Sequence, residues 1–339
     1  MAHYDFASDN VAGAMPEVLE ALARFNGGFE GGYGGDGVSR RAAELIRGLL
    51  DADAEVRFVA SGTAANALAL AALAPPHEGV LCHQHAHVAT DENGAPGFFG
   101  SGLALLSLPG ASGRIEPAAL EEALARSDEP HWPSPAALSI TQATEYGAVY
   151  SSASLTRLAA PAKAAGLGLH LDGARLANAV AAGFDPKSLA RLGFDLAVIG
   201  GTKAGSTPTE ALVILNPAQR PALSRRFGAR LKHGGQLISK ARFLAAPWIG
   251  MLETGAWASR AAHANAMAQK LAALMPFSLT HAVEANGVFV QMDEARLEAL
   301  KARGWFVYRF IDGSVRFMCS WSTSLERVEA LGEALREIA

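Results

Sequence analysis

The chain has 339 residues, of which 50% are hydrophobic and 18% are charged, and its formal net charge is −4. This composition supplies enough apolar side chains for a buried core and excludes a disordered chain. Because Lys and Arg are not in excess, binding to a nucleic-acid backbone is not expected. The length favours two domains, or one large α/β domain with a smaller partner.

The cysteines and the apolar segments indicate the cellular compartment in which such a chain is expected. Cys82 and Cys319 lie far apart and form neither a CxxC pair nor a disulfide framework, which favours a reducing, cytoplasmic location. The first ten residues lack the basic and apolar segments of a secretory signal. The most apolar stretch, residues 64–74, is too short to cross a bilayer and is followed by Pro75-Pro76. No membrane partner is therefore expected.

Short apolar runs alternate with helical patterns over most of the chain. This alternation is typical of a mostly parallel sheet covered by helices, so we predict an α/β fold. The glycine-rich segment 27–37 is predicted to be a loop. Strands are predicted at 56–60, 167–171 and 196–200, and helices at 40–50, 64–73 and 155–165.

The pattern changes after Pro247. A long alanine-rich helix is predicted from about residue 252 to residue 274, followed by antiparallel strands at 288–292 and 315–319 and a terminal helix from Leu325. These elements predict a smaller α+β domain. We therefore expect a large domain over 1–244 and a small domain over 245–339.

Polar residues follow the predicted strands at three places: Ser61-Gly62-Thr63, Asp172 and Lys203. In an open parallel sheet, ligands bind outside the carboxyl ends of the strands. A Ser-Gly-Thr turn that opens a helix offers N–H groups and hydroxyls to a phosphate. A carboxylate can keep a ring nitrogen protonated, and a desolvated lysine can act as a nucleophile.

Each feature also has an ordinary interpretation, because Ser and Asp often cap helices and most loop lysines are solvated. Taken together, however, a phosphate cup, then an aspartate and then a lysine follow the order found in pyridoxal phosphate enzymes. The combination is more specific than any one of its parts. It predicts a pyridoxal phosphate site.

Six stretches spread over nearly the whole chain extend this interpretation: FASDNVAGAMPEVLEAL, GYGGD, ASGTAANALAL, LHLDGARLANAV, GGTKAG and VRFMCSWSTS. They resemble the low-specificity L-threonine aldolases, within the aspartate aminotransferase-like (fold-type I) class of pyridoxal phosphate enzymes. HAHVATDENGAP and TQATEYGAVY are also similar to phenylserine-cleaving relatives. The resemblance implies aldol cleavage of L-β-hydroxy-α-amino acids, of the threonine, allo-threonine or phenylserine type, to glycine and an aldehyde.

The resemblance also implies which residues bind the cofactor. Lys203 would form the Schiff base with pyridoxal 5'-phosphate, and Asp172 would face the pyridine nitrogen. The phosphate would be bound by Ser61, Gly62 and Thr63.

Other residues are implied for the substrate and for a neighbouring subunit. Ser8 and Arg316 would bind the substrate carboxylate, Arg316 through the bidentate geometry that a guanidinium favours. Arg175 would contact the cofactor's phenolic oxygen or the substrate. Tyr33 and Lys232, the latter near the phosphate, would reach the site from a neighbouring subunit. A homodimer or homotetramer with shared active sites is implied.

Three histidines lie close together at residues 83, 85 and 87. The resemblance places His87 on the cofactor ring, where it could also assist removal of the β-hydroxyl proton. His85 has no counterpart in the family pattern and is the alternative base. On a strand, His83, His85 and His87 would share one face at a spacing that also suits a metal. A metal-dependent hydrolase is therefore a remote alternative, although we assign no metal ligands.

A nearer alternative keeps the cofactor and changes the bond that breaks. A β-eliminating lyase or an aminotransferase would use the same cofactor machinery, and only the products distinguish them. Thr141-Gln142-Ala143 replaces the family's usual Glu-Asn-Thr. This departure affects the expected substrate side chain more than the cofactor.

Overall fold

The computed structural model describes residues 3–127, 129–219, 221–225 and 227–339. Within these ranges the strands form one seven-stranded sheet and one three-stranded sheet. The strands are β1 (Ala54–Val59), β2 (Gly79–His83), β3 (Ala104–Leu108), β4 (Pro135–Thr141), β5 (Gly168–Gly173), β6 (Leu196–Gly200), β7 (Glu210–Leu215), β8 (Gly287–Val290), β9 (Tyr308–Arg309) and β10 (Val315–Met318).

Helices occupy most of the remaining described chain, together with two short 3-10 turns at Asp9–Val11 and Ala111–Gly113. No helix in the described ranges is both long and apolar enough to span a membrane. The α-helices are α1 (Pro16–Arg24), α2 (Gly37–Leu50), α3 (Gly62–Leu73), α4 (His87–Thr90), α5 (Ala95–Phe99), α6 (Pro117–Ala125), α7 (Ser152–Ala164), α8 (Leu176–Ala181), α9 (Ser188–Leu192), α10 (Pro221–Arg225), α11 (Phe227–His233), α12 (Arg242–Glu253), α13 (Ala256–Leu274), α14 (Glu294–Ala302) and α15 (Leu325–Ile338).

The larger sheet has the strand order β1-β7-β6-β5-β4-β2-β3. Strands β2 to β6 pair in parallel, whereas β7 is antiparallel to both β6 and β1. Strands β2, β5, β6 and β7 are buried along their whole length, as expected for a sheet covered on both faces. The prediction of an α/β fold with a mostly parallel sheet is confirmed.

The smaller sheet is antiparallel, with the order β8-β10-β9. Its core includes Phe317 and, from the N-terminal segment, Phe6. The backbone N–H of Met318 donates to the carbonyl of Phe6 at 2.8 Å, which joins the first residues of the chain to this sheet. The expected domain boundary falls inside α12. The division into 1–244 and 245–339 stays a prediction.

The long alanine-rich helix expected over about residues 252–274 is helix α13, which spans Ala256–Leu274. Helix α12 ends at Glu253 and helix α13 begins at Ala256. Between them Gly255 adopts φ 75°, a left-handed conformation that breaks the helical hydrogen-bond pattern. The predicted helix is confirmed, but its start was placed too early because the apolar pattern continues across the break.

Candidate active site

The parallel strands β4, β5 and β6 end at one edge of the larger sheet, and the candidate site lies there. Thr141 at the end of β4 pairs with Asp172 on β5, and Lys203 follows β6. A Cβ atom on Gly200 would lie only 2.1 Å from the carbonyl oxygen of Ala174. The absence of a side chain at Gly200 therefore allows the loop that carries Lys203 to lie beside the turn after Asp172.

A cavity of about 220 Å³ opens at this edge. Helix α3 begins at the cavity wall, where the Oγ atom of Ser61 accepts from the N–H of Ala64 at 3.3 Å. A Cβ atom on Gly62 would meet nothing within 4 Å, so the space in front of the helix is open. The N-terminus of a helix favours an anion in this position. The lining includes Ser61, Gly62, Thr63, His87, Asp172 and Lys203.

Asp172 is held in place by neutral donors. Its two carboxylate oxygens accept from the N–H of Ala174 at 3.0 Å and from the side-chain amide of Asn66 at 2.9 Å. The same amide donates to Glu92 at 2.8 Å. Sequence reasoning missed Asn66 and Glu92. Asn66 could have been found, because it is a polar residue in the otherwise apolar segment that follows Thr63.

Lys203 lines this cavity and also a second one, of about 260 Å³. Lys203 therefore borders both spaces. Burial lowers the pKa of Lys203, and the nearby positive charge of Arg175 lowers it further. A lower pKa leaves more of the amine neutral and therefore nucleophilic.

The second cavity gathers most of the residues that the sequence implies for the substrate. Ser8, His87, Arg175, Lys203 and Arg316 all line it. Asn10, His87 and Lys203 line the first cavity as well, so these three residues connect the spaces. Further lining residues that sequence reasoning missed are Asn10, Glu145, Tyr308, Arg309, Phe310 and Ile311, and Asp91 also lines this cavity.

Arg175 is fixed by a buried ion pair with Asp9, another residue that sequence reasoning missed. Its Nε and Nη2 atoms donate to the two carboxylate oxygens of Asp9 at 2.7 and 3.0 Å. The side-chain amide of Asn286 donates to the same carboxylate at 3.2 Å. Burial alone would raise the pKa of Asp9, but the charges of Arg175 and Lys203 lower it to about 2. Arg175 is thus held rigidly at the cavity wall.

Arg316 lies between two aromatic rings. Its guanidinium carbon is 4.8 Å from the centre of the Tyr308 ring and 5.0 Å from that of Phe310. The guanidinium also donates to the hydroxyl of Tyr308, while its Nε atom is buried without a hydrogen-bond partner in the described part of the chain. Burial, then the charge of Arg175, lowers the pKa of Arg316 to about 10. A buried guanidinium with an unused donor is suited to bind a carboxylate.

His87 is held at both its backbone and its ring. The backbone N–H donates to Oε1 of Glu145 at 2.9 Å, and Nδ1 of the ring lies 2.9 Å from Oε1 of Glu92. The second ring nitrogen, Nε2, is therefore the one turned away from Glu92.

A metal site at His83, His85 and His87 would require all three residues on one strand. Strand β2 instead ends at His83, and helix α4 begins at His87. The ring nitrogens of His83 lie 3.0 Å from the carbonyl of Gly110 and 3.0 Å from the N–H of His85, so both are occupied. The ring of His85 lies 2.7 Å from the hydroxyl of Tyr146 and does not line either cavity. Across residues 3–127, 129–219, 221–225 and 227–339, no cluster of three His, Cys, Asp or Glu could hold a metal.

Glu210 is a further carboxyl group that sequence reasoning missed. It lies on β7, opposite Gly200 in the register, and lines the first cavity. It accepts from the N–H of Gly201 at 2.8 Å. Burial raises its pKa to about 7, although its hydrogen bonds and the charge of Lys203 oppose this shift. The neutral form is therefore substantially populated near pH 7.

Tyr33 and Lys232 are not brought to either cavity. The ammonium of Lys232 lies 5.4 Å from the centre of the Tyr33 ring. Tyr33 is about half exposed and lines a separate surface pocket of about 440 Å³ with Arg40 and Arg57. Within one chain these residues are neighbours of each other rather than of Lys203.

The sequence is similar to a known protein family and to several named proteins. The family model for β-eliminating lyases matches residues 5–295. A low-specificity L-threonine aldolase from Pseudomonas sp. (strain NCIMB 10558) is 45% identical over 98% of this chain and 97% of the relative. One from Pseudomonas aeruginosa is 46% identical over 98% of this chain and 96% of the relative.

Solved structures agree with these relatives. A threonine aldolase from Leishmania major has a TM-score of 0.92 and 31% identity, covering 99% of this chain and 100% of that chain. The aspartate aminotransferase from Thermus thermophilus shares the fold, with a TM-score of 0.68 at 17% identity over 100% of this chain and 90% of that chain. The chain belongs to the β-eliminating lyase family and, within it, to the low-specificity L-threonine aldolases.

Proposed function

We propose that this chain cleaves L-β-hydroxy-α-amino acids of the threonine type to glycine and an aldehyde, with pyridoxal 5'-phosphate as cofactor. The observation that carries the proposal is the meeting of two cavities at Lys203. One cavity offers a helix N-terminus and Asp172, and the other offers Arg316. This arrangement provides separate places for a phosphorylated ring and an amino-acid carboxylate. The close relatives named as threonine aldolases support the same reaction.

The residues of the first cavity fit this cofactor chemically. The start of helix α3 suits the phosphate, Asp172 suits a protonated pyridine nitrogen, and Lys203 suits the aldehyde carbon. The Oδ1 atom of Asn66 is buried and has no hydrogen-bond partner in the described ranges, so the cavity wall keeps a free acceptor. When bound, pyridoxal phosphate withdraws electrons from the substrate Cα and so allows the Cα–Cβ bond to break. We assign stacking on its ring to His87.

In the second cavity the chain's own residues would orient the substrate. We assign the substrate carboxylate to Arg316 and to the hydroxyl of Ser8, with Arg175 as a second, rigid cation nearby. Two fixed contacts at the carboxylate would set the direction of the Cα–Cβ bond, and orientation of this kind accounts for a large share of enzymatic rate. Asp9 contributes indirectly, because its ion pair holds Arg175.

We further propose that bulky β-substituents are accepted, as in phenylserine. Tyr308, Phe310 and Ile311 form an apolar and aromatic side of the second cavity. Ile311 is 45% exposed, so this side faces the mouth of the cavity rather than its floor. A phenyl group there would bury apolar surface without displacing a charged residue.

The test is product analysis of the purified protein, supplied with pyridoxal phosphate, on L-threonine, L-allo-threonine and L-threo-phenylserine. We expect equimolar glycine and acetaldehyde or benzaldehyde. A β-eliminating lyase would instead release ammonia and a keto acid, and an aminotransferase would need a keto-acid acceptor. Release of ammonia without glycine would refute the aldolase proposal.

We propose that the protein is a homo-oligomer with shared active sites, in which Tyr33 and Lys232 face a neighbouring copy. The pocket that Tyr33 lines does not include Lys203, and Phe29 in the same glycine-rich loop is fully exposed. Sedimentation equilibrium should give a mass at least twice the 35.3 kDa of the chain. A mass equal to one chain would exclude this arrangement.

We also propose a cytoplasmic location. Both cysteines are free and buried, which suits a reducing compartment. Cell fractionation that places the protein outside the cytoplasm would exclude it.

A further inference from the structure

Cleavage of a β-hydroxy amino acid needs a group that takes the proton of the β-hydroxyl, and this inference rests on the proposed function. We propose that Glu145 is this group and that the proton is received on its Oε2 atom. Glu145 is 7% exposed, lines the second cavity, and shares it with Lys203 and Arg316. Sequence reasoning assigned the base to the histidines and did not single out Glu145.

The two oxygens of the Glu145 carboxyl group differ in their contacts. Oε1 accepts from the backbone N–H of His87 at 2.9 Å and from the hydroxyl of Thr141 at 3.1 Å. Oε2 is buried and has no hydrogen-bond partner among the described residues. Because a buried polar atom without a partner is costly, Oε2 is the atom that gains most from a proton or from a substrate hydroxyl.

The other candidate bases are less well placed. His85 lies outside the cavity with its ring against Tyr146. His87 reaches the cavity, but Nδ1 of its ring is bound to Glu92 and its ring is assigned to the cofactor. Asp91 lines the cavity but is exposed, and its carboxylate already accepts from Thr90 at 2.8 Å. Glu145 alone of these groups combines burial with a free oxygen.

The electrostatic environment of Glu145 favours proton uptake. Burial raises the pKa of Glu145, and the negative charge of Asp172 raises it further, against the opposing hydrogen bonds from His87 and Thr141. A carboxylate with a raised pKa is a stronger base than an ordinary one. The charged or titratable groups that line this cavity with it are His87, Asp91, Arg175, Lys203, Tyr308, Arg309 and Arg316. Groups outside the lining that interact with it electrostatically are Cys82, Tyr146, Tyr150 and Asp172.

The step balances without any additional reactant. Ionised Glu145 takes the β-hydroxyl proton on Oε2, and the electron pair of the O–H bond becomes the second bond of the aldehyde carbonyl. The Cα–Cβ bond breaks, and its electron pair stays on Cα. Cα then takes a proton from water at the cavity mouth, which gives glycine. The hydroxide that remains takes the proton from Glu145, which restores the carboxylate.

The central experiment compares two reactions of Glu145→Gln. Threonine cleavage should fall by about 10²–10⁴-fold in kcat, the usual contribution of a general base. Exchange of the glycine α-hydrogen with solvent deuterium, followed by NMR, involves no hydroxyl and should be retained. Glu116→Gln makes the same change at an exposed glutamate and should leave both reactions unchanged.

A pH profile and a spectrum separate this role from a structural one. In wild type, kcat/KM should fall as the pH drops through the raised pKa of Glu145. Glu145→Asp should keep this acid limb at a reduced rate, and Glu145→Gln should lose it. In the cofactor-free protein, infrared titration should show a protonated carboxyl C=O band for wild type that is missing in Glu145→Gln. Because Glu210 is unchanged in that variant, the missing band belongs to Glu145.

The outcomes are distinct. If wild type fails to release glycine from threonine, the proposed function itself is wrong. If wild type cleaves threonine but Glu145→Gln does so at the same rate, or loses glycine exchange in equal measure, the assignment of the base to Glu145 is overturned. If Asp91→Asn loses cleavage but keeps glycine exchange, while Glu145→Gln keeps both, the base is Asp91 and not Glu145.

Discussion

Replacing Lys203 with alanine is expected to lower threonine cleavage by on the order of 10³-fold or more, as removal of a covalent nucleophile does in other enzymes. Lys203 connects the two cavities, and its lowered pKa provides a neutral amine. The Schiff base to the cofactor would therefore be lost together with turnover. The fold should persist, because the substitution removes a partly buried charge and adds none.

The measurement is the visible absorption spectrum before and after reduction with sodium borohydride, followed by peptide mapping. The wild-type protein should be yellow and bleached by reduction, with the label on the peptide that contains Lys203. Lys270→Ala, at an exposed position on helix α13, is the matched control and should keep both colour and label. Full turnover in Lys203→Ala, or a label on another peptide, would contradict the assignment.

Asp9→Asn should give the largest change in stability among the substitutions considered. Breaking a buried ion pair leaves the remaining charge unpaired and costs about 3–5 kcal/mol. In the variant, the positive charges of Arg175, Lys203 and Arg316 would lie close together without their main counterion. Chemical denaturation monitored by circular dichroism should therefore show a lower free energy of unfolding.

The control for this loss is Asp5→Asn. Asp5 also forms a two-point pair, with Arg327 at 3.1 and 3.2 Å, but both side chains are about one-third exposed. Solvent screens such a pair, so its loss should cost about 0–1 kcal/mol. Equal losses in the two variants would show that the burial of Asp9 does not matter.

The same ion pair predicts how stability depends on pH. The pKa of Asp9 is about 2 in the folded protein and 3.8 in an ordinary carboxyl group. Because the folded value is lower, the contribution of Asp9 is fully present above about pH 4 and is lost as the pH falls towards 2. It amounts to about 2 kcal/mol. Asp9→Asn should lose this part of the acid dependence, and an unchanged profile between pH 4 and 2 would contradict the prediction.

Much of the cofactor side of the site could be predicted from the sequence. Ser61 caps a helix directly after a strand, Asp172 directly follows the apolar run 167–171, and Lys203 comes shortly after the apolar run 196–200. Such signals are local, since they depend on the residues next to each other in the chain. Their meeting at one sheet edge then follows from the parallel arrangement of the strands.

The substrate side depends on contacts between distant parts of the chain. Asp9 and Arg175 are 166 residues apart, and Asn286 and Asp9 are 277 apart. No local pattern indicates which partner each will have. The start of helix α13 was placed slightly too early, because a glycine within an alanine-rich segment is compatible with both a continuous and an interrupted helix.

By itself, the sequence determined the fold class, the strand-end residues that line the first cavity and the family to which the chain belongs. Only the tertiary structure decided that His83 and His85 stand outside the cavities and that Glu145 stands inside one. It also decided that Arg175 is held by Asp9. The physical reason is burial, because desolvation and the charges brought together by folding set the pKa values of Glu145, Lys203 and Asp9. Neither the desolvation of these groups nor the proximity of their charges exists before the chain has folded.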